Sequence, residues 1–146
     1  MNPASLYTYV NGIDDLFTRI LLDSFGDLAA HVAAAAEGDG PIEDRLLAPC
    51  LAYRAWAVAN PQRFNLIFTD QIPGYAAPPG GPTVEAEMAV GAPFLRLVGE
   101  LQGWAAPLDV VAFLDLPLAE RSRLFAPFAA LHGFVSLEIN NHAPFG

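Results

Sequence analysis

The sequence predicts an all-α fold, a helical bundle of about six helices, from three observations. Apolar residues recur at helical spacing along most of the chain, strand-like alternation of useful length is missing, and clusters of proline and glycine cut the pattern into segments. With 146 residues, 53% of them hydrophobic, the chain has one domain's length and enough apolar mass for a sizeable core.

Taken in order, Asn2 stands as an N-cap and Pro3 at the first position of a short helix that runs to Val10. Asn11-Gly12 is expected to stop it. A second helix over about 13–36 opens on Asp14-Asp15, where acidic residues favour a helix start. It repeats apolar positions at Ile13, Leu16, Phe17, Ile20, Leu21, Phe25, Leu28 and Val32, with Arg19, Asp23 and Asp27 between them. Glu37-Gly38-Asp39-Gly40 ends this helix, and Pro41 opens another that continues to Asn60. The Asn60-Pro61 step makes a corner, since a residue before proline is pushed out of the helical region. A short helix with Phe64, Ile67 and Phe68 as apolar anchors follows.

Four prolines and three glycines between Ile72 and Pro82 mark a long loop, of the kind that often lies over a pocket. Helix resumes with Thr83 as N-cap and Glu85 and Glu87 in its first turns, and extends to Trp104. Leu108 to Leu116 reads as an apolar connection. The last helix begins near Pro117, runs to about 140, and is apolar on more than one face, so its second face needs a partner. Pro49, Pro93 and Pro127 fall inside these helices, where each removes a backbone hydrogen bond and kinks are expected.

Composition excludes several classes. Seven Lys and Arg against sixteen Asp and Glu leave a formal charge of −9, which repels duplex DNA, whose binding draws on cationic contacts to phosphate. The single cysteine, Cys50, permits no intramolecular disulfide and fits a reducing compartment. No stretch approaches the roughly 20 apolar residues of a membrane span, and the start lacks the basic flank of a signal peptide. A cytoplasmic protein without membrane contact is expected. His31, His132 and His142 are scattered without metal-ligand spacing, and no nucleophile or phosphate motif is present. Glu138 and His142 share a helix face, which reads as solvated surface. Cys50, between Pro49 and Leu51, reads as packing. The expectation is therefore no enzyme, no catalytic residue, no metal and no cofactor.

Three segments carry a family resemblance. Ser5-Leu6-Tyr7-x-Tyr9-Val10 followed by Asp14-Asp15-Leu16-Phe17, then Ala52-Tyr53-x-x-Trp56-Ala57-x-x-Asn60-Pro61-x-x-Phe64-x-Leu66-Ile67-Phe68, then Leu131-His132-Gly133-Phe134-Val135-Ser136-Leu137-Glu138, resemble in order the TetR family of bacterial transcriptional regulators. The resemblance implies that residues 1–12 are the remnant of a helix-turn-helix, ending in its recognition helix, and that 13–146 are the C-terminal ligand-binding and dimerisation domain. Ser5, Tyr7, Thr8 and Tyr9 would contact DNA. Ile13 departs from the lysine common at that place, and the helices that normally precede the recognition helix are missing, so operator DNA is a partner only of a longer form.

The resemblance further implies a homodimer formed through a four-helix bundle of the last two long helices, about 83–104 and 118–140. Phe125, Phe128, His132, Val135 and Ile139, at helical offsets, form the expected seam. A small apolar or aromatic effector would bind among the central helices, lined by Tyr53, Trp56, Phe64, Phe68 and Phe94. The reading is thus a TetR-like repressor. The alternatives are a stand-alone dimeric binding module without DNA activity and, third, a small all-α enzyme.

Overall fold

The computed structural model describes residues 3–68, 73–77 and 79–141, with side chains from residue 12 onward. Among the described residues there are six helices: α1 (Pro3–Ala35), α2 (Ile42–Ala59), α3 (Pro61–Phe68), α4 (Pro82–Leu101), α5 (Val110–Leu114) and α6 (Leu118–Ile139). The expected all-α architecture is present, but its six helices arise differently. Asn11-Gly12 does not end the first helix, which passes through it as part of α1. A glycine inside a helix costs only about 1 kcal/mol relative to alanine, and a helix already formed on both sides propagates across such a site. The sixth helix is α5, inside the stretch read as a connection, where the Asp109 side chain caps the Ala112 N–H at 2.8 Å.

Two helix ends also differ from expectation. The N-cap of α4 is Gly81, with Pro82 at the first position where proline is pre-set for a helix, and Thr83 lies inside and buried. At its other end α4 stops at Leu101, short of Trp104. Gly103 takes a left-handed φ of 87°, Trp104 N–H donates to the Gly99 carbonyl at 3.0 Å, and Gly103 N–H donates to Glu100 at 3.1 Å. That pairing closes the helix with a Schellman turn, which a glycine accepts without strain.

Helices α2, α4 and α6 each continue through their internal proline. Pro127 cannot donate to the Arg123 carbonyl one turn back. The Gln102 side chain supplies a replacement, donating to that oxygen at 3.3 Å and linking the end of α4 to α6.

The core forms where α1 packs on α2 and α4. Phe25, Leu28 and Val32 of α1 meet Tyr53, Trp56 and Ala57 of α2, Phe64 of α3, Val90 and Phe94 of α4, and Val135 of α6. Polar contacts fix the register of these helices. Trp56 Nε1 donates to Asp27 Oδ2 at 2.8 Å, Arg63 donates to the same oxygen at 3.1 Å and to Ser24 at 3.2 Å, and its guanidinium lies 5.2 Å from the Trp56 ring centroid. Arg45 forks onto Glu100 at 2.6 and 3.1 Å, tying α2 to α4, and Arg54 forks onto Glu138, tying α2 to α6.

Candidate effector cavity and helix faces

Helices α4, α5 and α6 line a half-open cavity of about 340 Å³. On α4 the lining positions Val84, Glu87, Met88, Gly91, Phe94 and Leu95 follow helical spacing along one face. Helix α5 contributes Val110, Phe113 and Leu114, α6 contributes Leu124, Phe125 and Phe128, and Phe68 at the end of α3 closes the inner side. The wall is aromatic and aliphatic, suited to an apolar occupant, and its volume falls in the range of small-molecule sites. Gly91 leaves room in it: a Cβ built there meets no atom within 4 Å.

A second space of about 440 Å³ lies under the loop before α4, between Leu21 and Phe25 of α1, Leu66 and Ile67 of α3, and Tyr75, Ala76 and Ala77. Tyr75 holds the loop to α1, its hydroxyl 2.7 Å from Thr18 Oγ1 and its ring edge-on to Phe17 at 6.0 Å. Val84 and Glu87 border both spaces.

Of the five aromatic residues expected to line a pocket, the structure brings Phe68 and Phe94 to the cavity wall. Tyr53 and Phe64 stand outside it as fully buried core, their rings edge to face at 5.7 Å. Trp56 is buried as well, its indole committed to Asp27 and Arg63. Aromatic residues at helical spacing share a face whether that face meets a cavity or solid core, so spacing alone does not separate the two. Missed at the sequence level were Glu87, Gly91, Phe113 and Leu114. Phe113 and Leu114 sit on a helix read as a connection, although Asp109 three residues before Ala112 is a readable capping signal.

Beside the cavity, Tyr53 Oη and His132 Nδ1 share a hydrogen bond of 2.8 Å within a group of rings from Phe64, Phe68 and Phe128. Burial pushes the Tyr53 phenol well above its ordinary range, with the Glu87 carboxylate adding to the shift. Burial lowers the His132 pKa below 6.5, because the charged imidazolium is poorly solvated there.

The seam expected on α6 is largely its inward face. Val135 is 0% exposed, and Phe128 and Ile139 pack against the chain's own core with His132 bonded to Tyr53. Only Phe125, 52% exposed at the cavity mouth, is mostly open. Helical offsets define a stripe but not its direction, and α6 carries two apolar stripes. The outward one contains Ala126, Ala130, Phe134 and Leu137, all exposed. Ser5, Tyr7, Thr8 and Tyr9 fall within α1, and their side chains lie outside the described residues. Glu138 pairs with Arg54, His142 lies outside the described residues, and burial raises the Cys50 thiol pKa.

Residues 46–146 match the tetracyclin repressor-like, C-terminal domain family. Over 96 residues the chain is 38% identical to HTH-type transcriptional regulators Rv1816 of Mycobacterium tuberculosis and Mb1846 of Mycobacterium bovis. The matched region is 64% of this chain and 41% of each relative, so the match spans about two-fifths of the length of these regulators. The crystal structure of a candidate regulatory protein, SCO4313, superposes on the whole chain and on 72% of its own, with a TM-score of 0.69 and 28% sequence identity. A profile match over the last two-thirds of the chain, relatives above 30% identity and a shared all-helical architecture agree. The chain belongs to the TetR family, whose C-terminal domain it carries.

Proposed function

We infer that this chain is the regulatory part of a cytoplasmic transcriptional repressor that dimerises and releases its operator when a small apolar or aromatic effector binds. The observation that carries this reading is the cavity between α4 and α6, the two long helices that family resemblance assigns to the dimer bundle. An occupant there wedges the helices and favours one spacing of the pair over another, which is all that a ligand needs to shift a two-state equilibrium. DNA contact belongs to a longer form with an intact helix-turn-helix.

Gly91→Leu tests the site. The new side chain grows into open space, improves helix propensity, and fills part of the cavity. Uncharged aromatic compounds should raise the melting temperature of the wild-type chain and leave that of the variant unmoved, as a ligand of the native state does by mass action. Equal stabilisation of both proteins would place binding elsewhere.

The unbroken α1 favours a second reading, a dimeric binding module whose first residues do not form a recognition helix. Retardation of operator DNA by the product of the native locus supports the repressor, and failure to retard it supports the module.

A further inference from the structure

Among the described residues the cavity wall is apolar at every position but one. Glu87 is, among them, the one charged side chain that lines it, and no hydrogen bond or ion pair among the described residues engages its carboxylate. None of the seven arginines lines the cavity, so no guanidinium there neutralises it. Glu87 is exposed, so its carboxylate stands at the rim of the cavity, where it also borders the space under the loop before α4. Phe94, Phe113, Phe125 and Phe128 complete the wall around it.

These facts discriminate between occupants. An anion is repelled by Glu87 and by the chain's formal charge of −9. A neutral hydrocarbon fills the apolar part of the cavity but makes no use of the carboxylate, which is exposed and keeps its water. A cation with an apolar body meets the carboxylate at one end and ring faces along its length, and ring faces attract cations.

We propose that the cavity recognises a hydrophobic organic cation, an alkyl- or arylammonium whose charge sits at Glu87 and whose apolar body lies among Phe94, Phe113 and Phe128. This rests on the cavity being the effector site, and it narrows the effector from apolar to amphipathic and positively charged.

Three probes of one chain length separate the possibilities: decyltrimethylammonium, decanol and decanoate, each below its micellar concentration, titrated calorimetrically into the whole chain. The ammonium should bind about tenfold tighter than decanol, with decanoate weakest, and its advantage should shrink as salt is raised. Glu87→Gln should abolish the advantage and leave decanol binding unchanged. Equal binding of ammonium and decanol overturns the proposal while leaving the effector site standing. An ammonium preference that survives in Glu87→Gln also overturns it, since the general surface charge then suffices. Failure of all three probes overturns both the cavity reading and the cation.

Discussion

His132 shows how one side chain carries both packing and titration. Its ring stacks on Phe64 at 5.4 Å, meets Phe68 edge-on at 4.8 Å, and holds the Tyr53 hydroxyl through Nδ1. Because burial lowers its pKa in the folded protein, the unfolded chain takes up the proton more readily. Its contribution to stability is therefore complete above the unfolded value of 6.5 and declines as pH falls through the lower, folded value. Urea unfolding across mildly acidic pH should show the wild type losing stability on acidification. His132→Gln, which keeps a polar partner for Tyr53 and cannot titrate, should flatten that part of the profile. An unchanged slope would assign the loss to other groups. The sequence marked His132 as part of a helical stripe, but not its partner: Tyr53 lies 79 residues away and only the fold joins them.

At the scale of elements, the helices were legible wherever period and punctuation agreed. The corner at Asn60-Pro61, the loop before α4 and the start of α6 all follow from local chemistry at proline and glycine. Asn11-Gly12 misled because a two-residue stop signal is weak against helix on both sides, and α5 was missed because five residues carry too little periodicity to register. How elements lock together was less legible, since each brace is formed by residues far apart in sequence. Asp27 on α1 accepts from Trp56 on α2 and Arg63 on α3, and these bonds hold its carboxyl below the ordinary 3.8, with Trp56 the largest cause. Asp27 is 40% exposed, so solvent screens the pair. Asp27→Asn should cost about 1 kcal/mol at neutral pH, read from chemical unfolding. The difference from wild type should close as pH falls below 3.8, where the carboxylate in the native protein begins to protonate. A cost that persists unchanged in acid would mean the charge plays no part in the brace.

For the whole molecule the decisive asymmetry is that of α6. Its inner stripe, through Leu124, Phe128 and Val135, completes the cavity and the core, and its outer stripe, through Ala126, Ala130 and Leu137, is left on the surface. Under the proposed function the same helix would serve effector and dimer on opposite sides, so a ligand that moves its inner face would move its outer face as well. The sequence showed that α6 needed two apolar environments, but orientation around its axis depends on which stripe α4 and α2 accept, and that is a property of the packed bundle. Leu137, 50% exposed, is the side chain to charge. Leu137→Glu leaves the core untouched, because the site already faces water in the single chain, but places two carboxylates together wherever outer stripes pair across a two-fold axis. Sedimentation should find the wild type at about twice 15.6 kDa and the variant near that single mass. Both should keep the same helical content and ligand-induced stabilisation. A variant that remains dimeric would exclude the outer stripe of α6 from the interface and direct attention to the exposed Leu47, Leu51 and Val58 of α2 instead.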